Sequence, residues 1–409
     1  MKFLKNQNRR PPWVCSLGAI AMLLGCVMAV KAADTPELRF DDLLFDGQSL
    51  AGWTVENDCE VTVEDGLLVL KSGNGWLRSD HTYADFMLHV EWKALKSADY
   101  DAGIYIRTLT GGKPFPKTSY QVNLLEGKEG NIGNLAGASS AGLIKPGDWN
   151  TFDITVVGET VALSINGKPA YKVAGLKQPA GYVGLQCEVI KGGAFQFRNL
   201  HIIELGAQSL FNGKDLSGWT GVGEPAEKCW RVQDGLLECT GTAGPWLRSR
   251  EEYSDFNLRF DYQVSPEGNS GVYVRVPADG NHHRENDQAP PAGFEVQLLD
   301  DAATKYKDLK DFQFSGSVYD IAGATRHVSR PAGQWNSFEI NARGQHIAVT
   351  HNGVVVVDLD EEKFPLINLR QTKGFLGLQN HSTLVKFRNL RMAPPLPFLS
   401  QGRGAAGKR

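Results

Sequence analysis

Three short stretches in the second half of the chain alternate apolar and polar residues: "GVYVRV" (271–276), "FEVQLL" (294–299) and "FLGLQNH" (375–381). Successive side chains of a β-strand point to opposite faces, so the apolar residues would face a core and the residues between them the other side. The residues on this second face are Tyr273, Arg275, Glu295, Gln297, Gln379 and His381. If the three strands are neighbours in a curved sheet, these side chains line a groove that could perform acid–base chemistry.

The first half of the chain repeats this pattern with different chemistry. "SYQVNLLEG" (119–127) corresponds to "GFEVQLLDD" (293–301), and Tyr105 and Arg107 persist. Three positions change: Glu295 becomes Gln121, Gln297 becomes Asn123, and His381 becomes Glu188. An amide cannot accept a proton as a carboxylate does, so acid–base chemistry is expected in the second half, unless Glu126 or Glu188 supplies a carboxylate from another position.

Further matched blocks cover nearly the whole chain in the same order. "LLFDGQSLAGW" (43–53) recurs as "SLFNGKDLSGW" (209–219), and "WLRSDHTYADFML" (76–88) recurs as "WLRSREEYSDFNL" (246–258). A period of about 170 residues is far too long for a solenoid repeat. We therefore predict two homologous domains, residues 34–205 and 206–393, followed by a Pro- and Gly-rich tail, 394–409, that is expected to be disordered.

Composition and turn signals favour an all-β fold in both domains. The chain has 45 glycines and 19 prolines, and Asp-Gly and Asn-Gly pairs separate its alternating runs. This pattern is typical of a β-sandwich or jelly roll. The second domain has a longer loop, because Arg275 and Phe294 are 19 positions apart (294 − 275), whereas the matched Arg107 and Tyr120 are 13 apart (120 − 107).

Charge and the N-terminal segment bear on partners and location. The 43 basic and 46 acidic residues are intermixed and give a net charge of −3, which argues against nucleic acid as a partner. Residues 1–33 resemble an export signal, with basic residues before an apolar run and small residues near the end. We expect an extracytoplasmic protein, periplasmic or secreted. The membrane enters only in two alternatives: lipid anchoring at Cys26 within "LLGC", and an uncleaved anchor.

The four cysteines outside this segment are too few for a disulfide framework. Cys229 and Cys239 flank a predicted hairpin, where either a local disulfide or two buried thiols would fit. For Cys187, in register with Leu185, a buried thiol is expected.

The blocks of the second domain resemble a known family. "LFNGKDLSGW" (210–219), "VQDGLLE" (232–238), "GFEVQLLD" (293–300) and "GLQNH" (377–381) are similar to those of the 3-keto-disaccharide hydrolase family, closely over 206–393 and more loosely over 40–205. The resemblance implies concanavalin A-like jelly rolls in exported bacterial proteins that cleave glycosides carrying a ring ketone. The first domain departs at 101–103 and 121–123, which places the implied activity in the second.

The implied chemistry assigns roles to the groove. A ketone acidifies the adjacent C–H, so a base can remove that proton and the glycosidic oxygen can leave. Glu295 is the candidate base, Arg275 the enolate stabiliser, and His381 the acid or second base, with Gln297 and Gln379 holding sugar hydroxyls. Further candidates for substrate binding are Tyr273, Asn269, Asp300 and Trp246. The cofactor stays open: a divalent metal on Glu295 and His381 could replace Arg275, although two ligands are few for a secure site.

Other interpretations remain open. Arg275 and Glu295 could form only a cross-strand ion pair on a solvated face. The domains could bind carbohydrate without cleaving it, since jelly rolls also serve lectins. "EVQLLD" also echoes the acidic strand of retaining glucanases, with Glu295 and Asp300 as the two carboxylates. The "HHREND" loop (282–287) is expected to be solvated, because adjacent histidines point apart in an extended chain, with a metal site or a groove lid as alternatives.

Overall fold

The computed structural model describes residues 38–117 and 119–398. Nearly all of their regular structure is β-strand, which confirms the predicted all-β fold class. The strands of the first copy are β1 (Arg39–Leu43), β2 (Trp53–Glu64), β3 (Leu67–Tyr83), β4 (Phe86–Ala94), β5 (Gly103–Thr108), β6 (Tyr120–Asn123), β7 (Asn150–Val157), β8 (Thr160–Ile165), β9 (Lys168–Ala174), β10 (Gly181–Glu188) and β11 (Phe195–Leu205). The strands of the second copy are β12 (Gln208–Ser209), β13 (Trp219–Gly221), β14 (Trp230–Gln233), β15 (Leu236–Thr240), β16 (Leu247–Tyr253), β17 (Phe256–Val264), β18 (Asn269–Val276), β19 (Phe294–Leu299), β20 (Asn336–Arg343), β21 (His346–His351), β22 (Val354–Leu359), β23 (Gly374–Leu378) and β24 (Leu384–Ala393).

Helical structure is confined to short turns. They are one α-helical turn, Val189–Gly192, and the 3₁₀ turns Ala226–Lys228, Thr304–Tyr306, Asp311–Gln313 and Pro365–Leu369. Among the residues that the structure describes, no helix has the length and hydropathy that crossing a bilayer requires. The predicted export signal, residues 1–33 with the alternatives at Cys26, lies outside the described residues.

In the first copy, one long strand joins the two layers of the sandwich. The 17-residue β3 pairs with β11 near its start and with β10 over the rest of its length. All strands of this copy therefore belong to one 11-stranded sheet, with the order β6-β5-β10-β3-β11-β4-β7-β8-β9, in which β1 pairs with β11 and β2 with β3. Its enclosed core contains the edge-to-face pair of Trp92 and Phe152.

The second copy has two separate sheets, because β15 and β16 take the place of the single long strand. The larger sheet has the order β14-β15-β24-β17-β20-β21-β22, with β12 added at β24, and the smaller has the order β13-β16-β23-β18-β19. Their inner faces enclose a core that includes the stacked rings of Phe260 and Phe338. Burying this apolar surface is the main driving force for the fold.

The three stretches expected to line a groove are neighbours in the smaller sheet. Strand β18 lies between β19 and β23, and Tyr273 is directly opposite both Glu295 and Gly377. The outer edge of β19 is covered, since Tyr319 donates its backbone N–H to the Glu295 carbonyl and Gln297 donates to that of Ser317. Every residue of β19 is consequently buried.

The two copies share buried ion pairs. Glu204 on β11 of the first copy accepts hydrogen bonds from Arg259 Nη1 at 2.5 Å and Arg391 Nε at 2.7 Å, both on strands of the second copy. Arg391 also contacts Asp42 at 3.1 Å, and Arg259 donates to the carbonyl of Thr82. Removing one partner from such a buried network typically costs about 3–5 kcal/mol, because the remaining charge is left uncompensated.

The four described cysteines are buried and are present as free thiols: Cys59, Cys187, Cys229 and Cys239. At the other end of the chain, residues 394–398 make defined contacts although they belong to the segment expected to be disordered. Leu396 is buried and exchanges backbone hydrogen bonds with the Asn341 amide, and Phe398 stacks on His346. The rest of that tail, 399–409, lies outside the described residues.

Candidate functional site

An open groove of about 510 Å³ lies on the smaller sheet of the second copy. Its walls include Trp246, Tyr273, Asn281, His282, His283 and Pro290. Trp246 and Tyr273 meet edge to face with centroids 5.2 Å apart. Half-buried aromatic rings beside polar groups are the usual composition of a small-molecule site, so this groove is the candidate functional site.

Two glycines make room for the side chains of the groove. A Cβ on Gly271 would lie 2.4 Å from Glu295 Oε1, and a Cβ on Gly377 would lie 2.3 Å from the Trp246 ring. Because neither position carries a side chain, Glu295 lies across β18 and Trp246 lies across β23. A larger residue at either position would displace the side chain above it.

Glu295 is held in a buried network rather than exposed to the groove. Only 3% of its side chain is accessible, and it does not form part of the groove wall. Its Oε2 accepts a hydrogen bond from His282 Nε2 at 2.8 Å, and its Oε1 accepts one from Gln379 Nε2 at 2.8 Å. His282 therefore stands between the carboxylate and the groove.

The environment of His282 favours the protonated imidazolium. Its Nδ1 is 3.2 Å from the carbonyl oxygen of Gly280, so both ring nitrogens face acceptors. Burial alone would lower the pKa of His282, but the hydrogen bond and the charge of Glu295 outweigh burial and raise that pKa above its ordinary value. The ring also stacks on Tyr273, with centroids 5.1 Å apart and planes 25° apart, which further suits a cation.

A second histidine–carboxylate pair adjoins the first. His283 Nδ1 lies 2.6 Å from Asp320 Oδ2, and the rings of His282 and His283 have centroids 4.1 Å apart. Tyr319 contacts both rings edge to face. The expectation that the adjacent histidines point apart is wrong, because the loop is not an extended strand: it bends where the His283 N–H donates to Asn281 Oδ1.

The loop that carries the histidines is fixed at several points. Asn281 donates from Nδ2 to the carbonyl of Pro291 at 2.9 Å, and its own carbonyl accepts from the N–H of Gly293. Arg284 donates to the Leu369 carbonyl, and the buried Arg370 donates to the carbonyl of Arg284. This is the longer loop that distinguishes the second copy in sequence, for which a solvated position was expected, with a metal site or a groove lid as alternatives.

Arg275 lies elsewhere, and its position does not support the predicted role of enolate stabiliser. A register shift between Tyr273 and Val276, with φ +53° at Arg275, breaks the strand alternation and turns the side chain away from the groove. The fully buried guanidinium donates to the carbonyls of Ser254 and Gly344 at 2.6 Å and contacts Asp255 at 3.2 Å. Burial lowers its pKa to about 10, against the opposing charge of Asp255. Arg275 thus connects β18 to the turns that contain Ser254, Asp255 and Gly344, and its ion-pair partner is Asp255 rather than Glu295.

Two other predicted residues also lie outside the groove wall. His381 is exposed in the turn between β23 and β24, and the histidine that contacts Glu295 is His282 instead. Asp300 follows β19, where its Oδ2 accepts from the backbone N–H of Glu267 at 2.8 Å and so fixes a turn. This position does not support pairing Asp300 with Glu295 as two catalytic carboxylates.

The remaining predicted residues are in or under the groove. Tyr273 and Trp246 border it directly. Gln379 links Glu295 to the Tyr273 hydroxyl, which accepts from Gln379 Nε2 at 3.2 Å, and the buried Gln379 Oε1 has no protein partner. Gln297 is buried and donates to Asn269 Oδ1 at 2.8 Å, so this pair supports the sheet beside the groove.

The corresponding surface of the first copy is filled. Trp76, Tyr105 and Tyr182 form a buried cluster, with exposures of 1%, 2% and 7%, and Phe115 packs against it. The short loop that carries Phe115 is held by Asn57, whose Nδ2 donates to the Pro114 carbonyl at 2.8 Å. Phe115 thus covers the aromatic cluster of the first copy, whereas the loop that carries His282 and His283 leaves a groove beside Trp246 and Tyr273 in the second copy.

Amides replace the charged pair in the first copy. Gln121 donates to Gln186 Oε1, and Gln186 donates to Glu188 Oε2 at 2.9 Å. Burial raises the pKa of Glu188, and the nearby Asp101 raises it further. These three hydrogen-bonded side chains, Gln121, Gln186 and Glu188, include no imidazole, so this site lacks the histidine–carboxylate pairs of the second copy.

Among the described residues, no group of three or more His, Cys, Asp or Glu side chains is arranged to hold a metal ion. His282 and Glu295 form one pair and His283 and Asp320 another, each at hydrogen-bonding distance. His381 is not part of either pair, so the two ligands considered for a metal are not brought together.

Comparison with known proteins identifies relatives of this chain. A curated relative from Bacteroides thetaiotaomicron, named 3-keto-disaccharide hydrolase, is 24% identical over 273 residues, which cover 57% of this chain and 93% of the relative. A crystal structure of a candidate glycosyl hydrolase from Parabacteroides distasonis is 27% identical, covers 46% of this chain and 98% of that one, and has a TM-score of 0.39. A carbohydrate-binding module from Bacillus subtilis is 16% identical, covers 37% of this chain and 94% of that one, and has a TM-score of 0.28.

The profile of one family matches both halves of the chain. Its two matches cover residues 42–203 and 206–393, which correspond to the first and second copies apart from the first residues of β1 and the last of β11. These matches extend over far more than half of the sequence. The chain therefore belongs to the family described as the 3-keto-alpha-glucoside-1,2-lyase-like domain.

Proposed function

We propose that the second copy cleaves glycosides whose sugar ring carries a ketone at C3. Family membership and the name of the Bacteroides relative support this substrate class. The observation that carries the proposal is the Glu295–His282 pair, a carboxylate and an imidazole at hydrogen-bonding distance at the wall of a groove lined by Trp246 and Tyr273. The first copy, with Gln121 in place of Glu295 and a filled surface, would support the second without cleaving.

The reaction makes demands that this groove can meet. A ketone at C3 acidifies the proton on C2, and its removal gives an enolate whose negative charge lies on the ketone oxygen. The enolate then expels the glycosidic oxygen from C1, and water adds to the resulting double bond. The enolate is a high-energy intermediate of such a sequence, so a fixed positive group near the ketone oxygen lowers the barrier to its formation.

His282 is the group that supplies this charge. Its ring borders the groove, while the covered carboxylate of Glu295 holds the ring in place and, against the effect of burial, raises its pKa in favour of the imidazolium. The half-buried ring of Trp246 borders the groove beside Tyr273 and suits the apolar side of a sugar ring. Glu295 thus acts through His282, rather than as the exposed base that its sequence position indicates.

The test compares two substrates and two variants. The wild type should release the aglycone from a 3-keto-glucoside but not from the parent glucoside, because only the ketone acidifies C2. Glu295→Gln should lower kcat by about 100-fold or more, which is the usual contribution of a positioned proton-transfer or charge-stabilising group. Glu238→Gln is the matched control, since Glu238 is also buried in this copy but pairs with Arg231 and Lys386 away from the groove.

Three results would count against the proposal. Equal rates for wild type and Glu295→Gln would remove the pair from the mechanism, and cleavage of the parent glucoside would point to ordinary hydrolysis. Calorimetric binding of a glycan with no product after long incubation would favour the alternative, a carbohydrate-binding protein.

A further inference from the structure

The reaction proposed above also needs a base, and neither Glu295 nor His381, the two residues predicted for that role, meets the need. Glu295 is covered by His282, and His381 is exposed in the turn after β23, outside the groove wall. His282 itself has both nitrogens engaged, by Glu295 and by the Gly280 carbonyl. A base must reach the substrate with an unoccupied lone pair.

We infer that His283, oriented by Asp320, is the base that removes the C2 proton. This inference rests on the proposed function and names a residue that the sequence pattern did not single out for catalysis. His283 borders the groove, and about half of its side chain is accessible. With Nδ1–H donating to Asp320 at 2.6 Å, the lone pair of Nε2 is left to accept a proton.

The position of Asp320 indicates that it is built to orient this ring. Its backbone has φ +58°, in the left-handed region that Asp adopts more readily than most residues. The turn is held because the preceding Tyr319 donates its N–H to the Glu295 carbonyl and the N–H of Ala322 donates to the Val318 carbonyl. The ring of the neighbouring Tyr319 contacts both imidazoles, so the short turn that carries Tyr319 and Asp320 lies beside both histidine–carboxylate pairs.

The step balances without a redox partner. The C2–H bond breaks, its proton goes to Nε2 of His283, and its electron pair forms the C2–C3 double bond of the enolate. When the ketone re-forms, the C1–O bond breaks with formation of the C1–C2 double bond, and the imidazolium of His283 gives its proton to the departing oxygen. The aglycone leaves as an alcohol and His283 is again neutral. The adjacent imidazolium of His282, 4.1 Å away between ring centroids, stabilises the enolate oxygen.

The deciding experiment is proton exchange at C2, measured on the full-length protein. A 3-keto-glucoside with a poorly leaving alkyl aglycone is incubated in D₂O, and deuterium at C2 of the remaining substrate is followed by NMR together with aglycone release. The wild type should show both. In His283→Gln the rates of C2 exchange and of aglycone release should both fall by about 100-fold or more, with little change in KM, because the same base serves both steps.

Two further variants separate catalysis from structure. Added imidazole should restore part of the activity of His283→Ala, since the ring it replaces is half exposed at an open groove. Asp320→Asn should lower kcat less than His283→Gln does, because it loses only the orientation of the ring. His346→Ala is the control: His346 pairs with Asp358 at 2.6 Å in the β21–β22 hairpin, and its loss should alter neither exchange nor release.

The outcomes are distinguishable from failure of the proposed function. Exchange at the wild-type rate in folded His283→Gln, with folding checked by circular dichroism, would overturn the inference while leaving the substrate class intact. If the wild type neither exchanges C2 nor releases the aglycone, the proposed function fails and the inference fails with it. If His283→Gln exchanges C2 at the full rate and loses only aglycone release, His283 protonates the leaving group instead, which would also overturn its role as base.

Discussion

His282 lies nearly parallel to the ring of Tyr273, with their centroids 5.1 Å apart, while its Nε2 contacts Glu295 at 2.8 Å. One imidazole is thus fixed from two directions, by an aromatic face on β18 and by a carboxylate on β19. The two strands are directly paired at these residues, since Tyr273 is opposite Glu295. A rigid sheet therefore positions a charged group that belongs to a loop, which is the arrangement that catalytic sites need.

The activity should depend on pH through His282. Its pKa is raised because Glu295 outweighs burial, so the imidazolium is lost only as pH rises through that raised value. The charged or titratable groups around it are Glu295, Tyr273, His283 and Arg370. Glu295→Gln removes the group that raises the pKa, so the alkaline limb of the kcat/KM profile should move to lower pH. NMR titration of the His282 ring in both proteins checks the assignment independently of turnover, and an unmoved resonance would contradict it.

Gly271→Ala should impair the site without removing any functional side chain. The added Cβ would lie 2.4 Å from Glu295 Oε1, so the carboxylate must shift away from Gln379 and His282. We expect kcat to fall by about tenfold or more, since small displacements of a positioned group are costly. Gly103→Ala is the matched change in the first copy, where the Cβ would meet Gln121 Nε2 at 2.2 Å, and cleavage should be unaffected.

Replacing Arg275 should lower stability and leave catalysis intact. Arg275→Met removes the donors that satisfy the carbonyls of Ser254 and Gly344 and leaves Asp255 without its partner. The expected loss is about 3 kcal/mol in the free energy of unfolding, measured by urea denaturation, with kcat of the folded fraction unchanged. Arg107→Met in the first copy should behave alike, because Arg107 donates to the carbonyls of Ala84 and Gly158. A large fall in kcat for Arg275→Met alone would restore its predicted catalytic role.

Acid should weaken the contact between the two copies. Burial alone would raise the pKa of Glu339, but the charges of Arg259 and His81 outweigh burial and bring that pKa to about 2. Burial would also raise the pKa of Glu204, but the charges of Arg259 and Arg391 outweigh it and lower that pKa. Depressed carboxyl pKa values contribute stability that is full above the ordinary value of 4.5 and is lost as pH falls toward about 2. Glu339→Gln should therefore give a flatter dependence of unfolding free energy on pH across this window. Glu362→Gln, at an exposed position, should leave that dependence as in the wild type.

The sequence predicted the sheet better than the groove. The alternation of apolar and polar residues placed Tyr273, Glu295 and Gln379 together on the face opposite the core, and the structure links their side chains there. Neighbouring strands with one buried face have little freedom of register. The alternation failed at Arg275, where an irregularity in the pairing inverts the side chain, and local sequence gives no sign of that irregularity. The Arg107 position shows the same positive φ, so comparison of the copies could not reveal it either.

The missed residues lie on loops. His282, His283 and Asp320 come from two segments that approach each other only because both contact β19 and its edge. The signal that could have indicated them was the extra length of the second loop, combined with its adjacent histidines. Nothing in a single sequence says which distant carboxylates such a loop will meet, since that depends on tertiary contacts.

The buried pairs of Glu204 also have a consequence for the order in which the chain can finish folding. During synthesis the first copy emerges first, with the carboxylates of Asp42 and Glu204 complete but their partner Arg391 still close to the end of the chain. Domains generally fold as they emerge, so the first copy can form before the arginines that contact Glu204 and Asp42 in the full chain, Arg259 and Arg391, are in place. Only when β24 is added does Arg391 reach both. A chain truncated before β24 would therefore lack the arginine that contacts both Asp42 and Glu204 between the two copies.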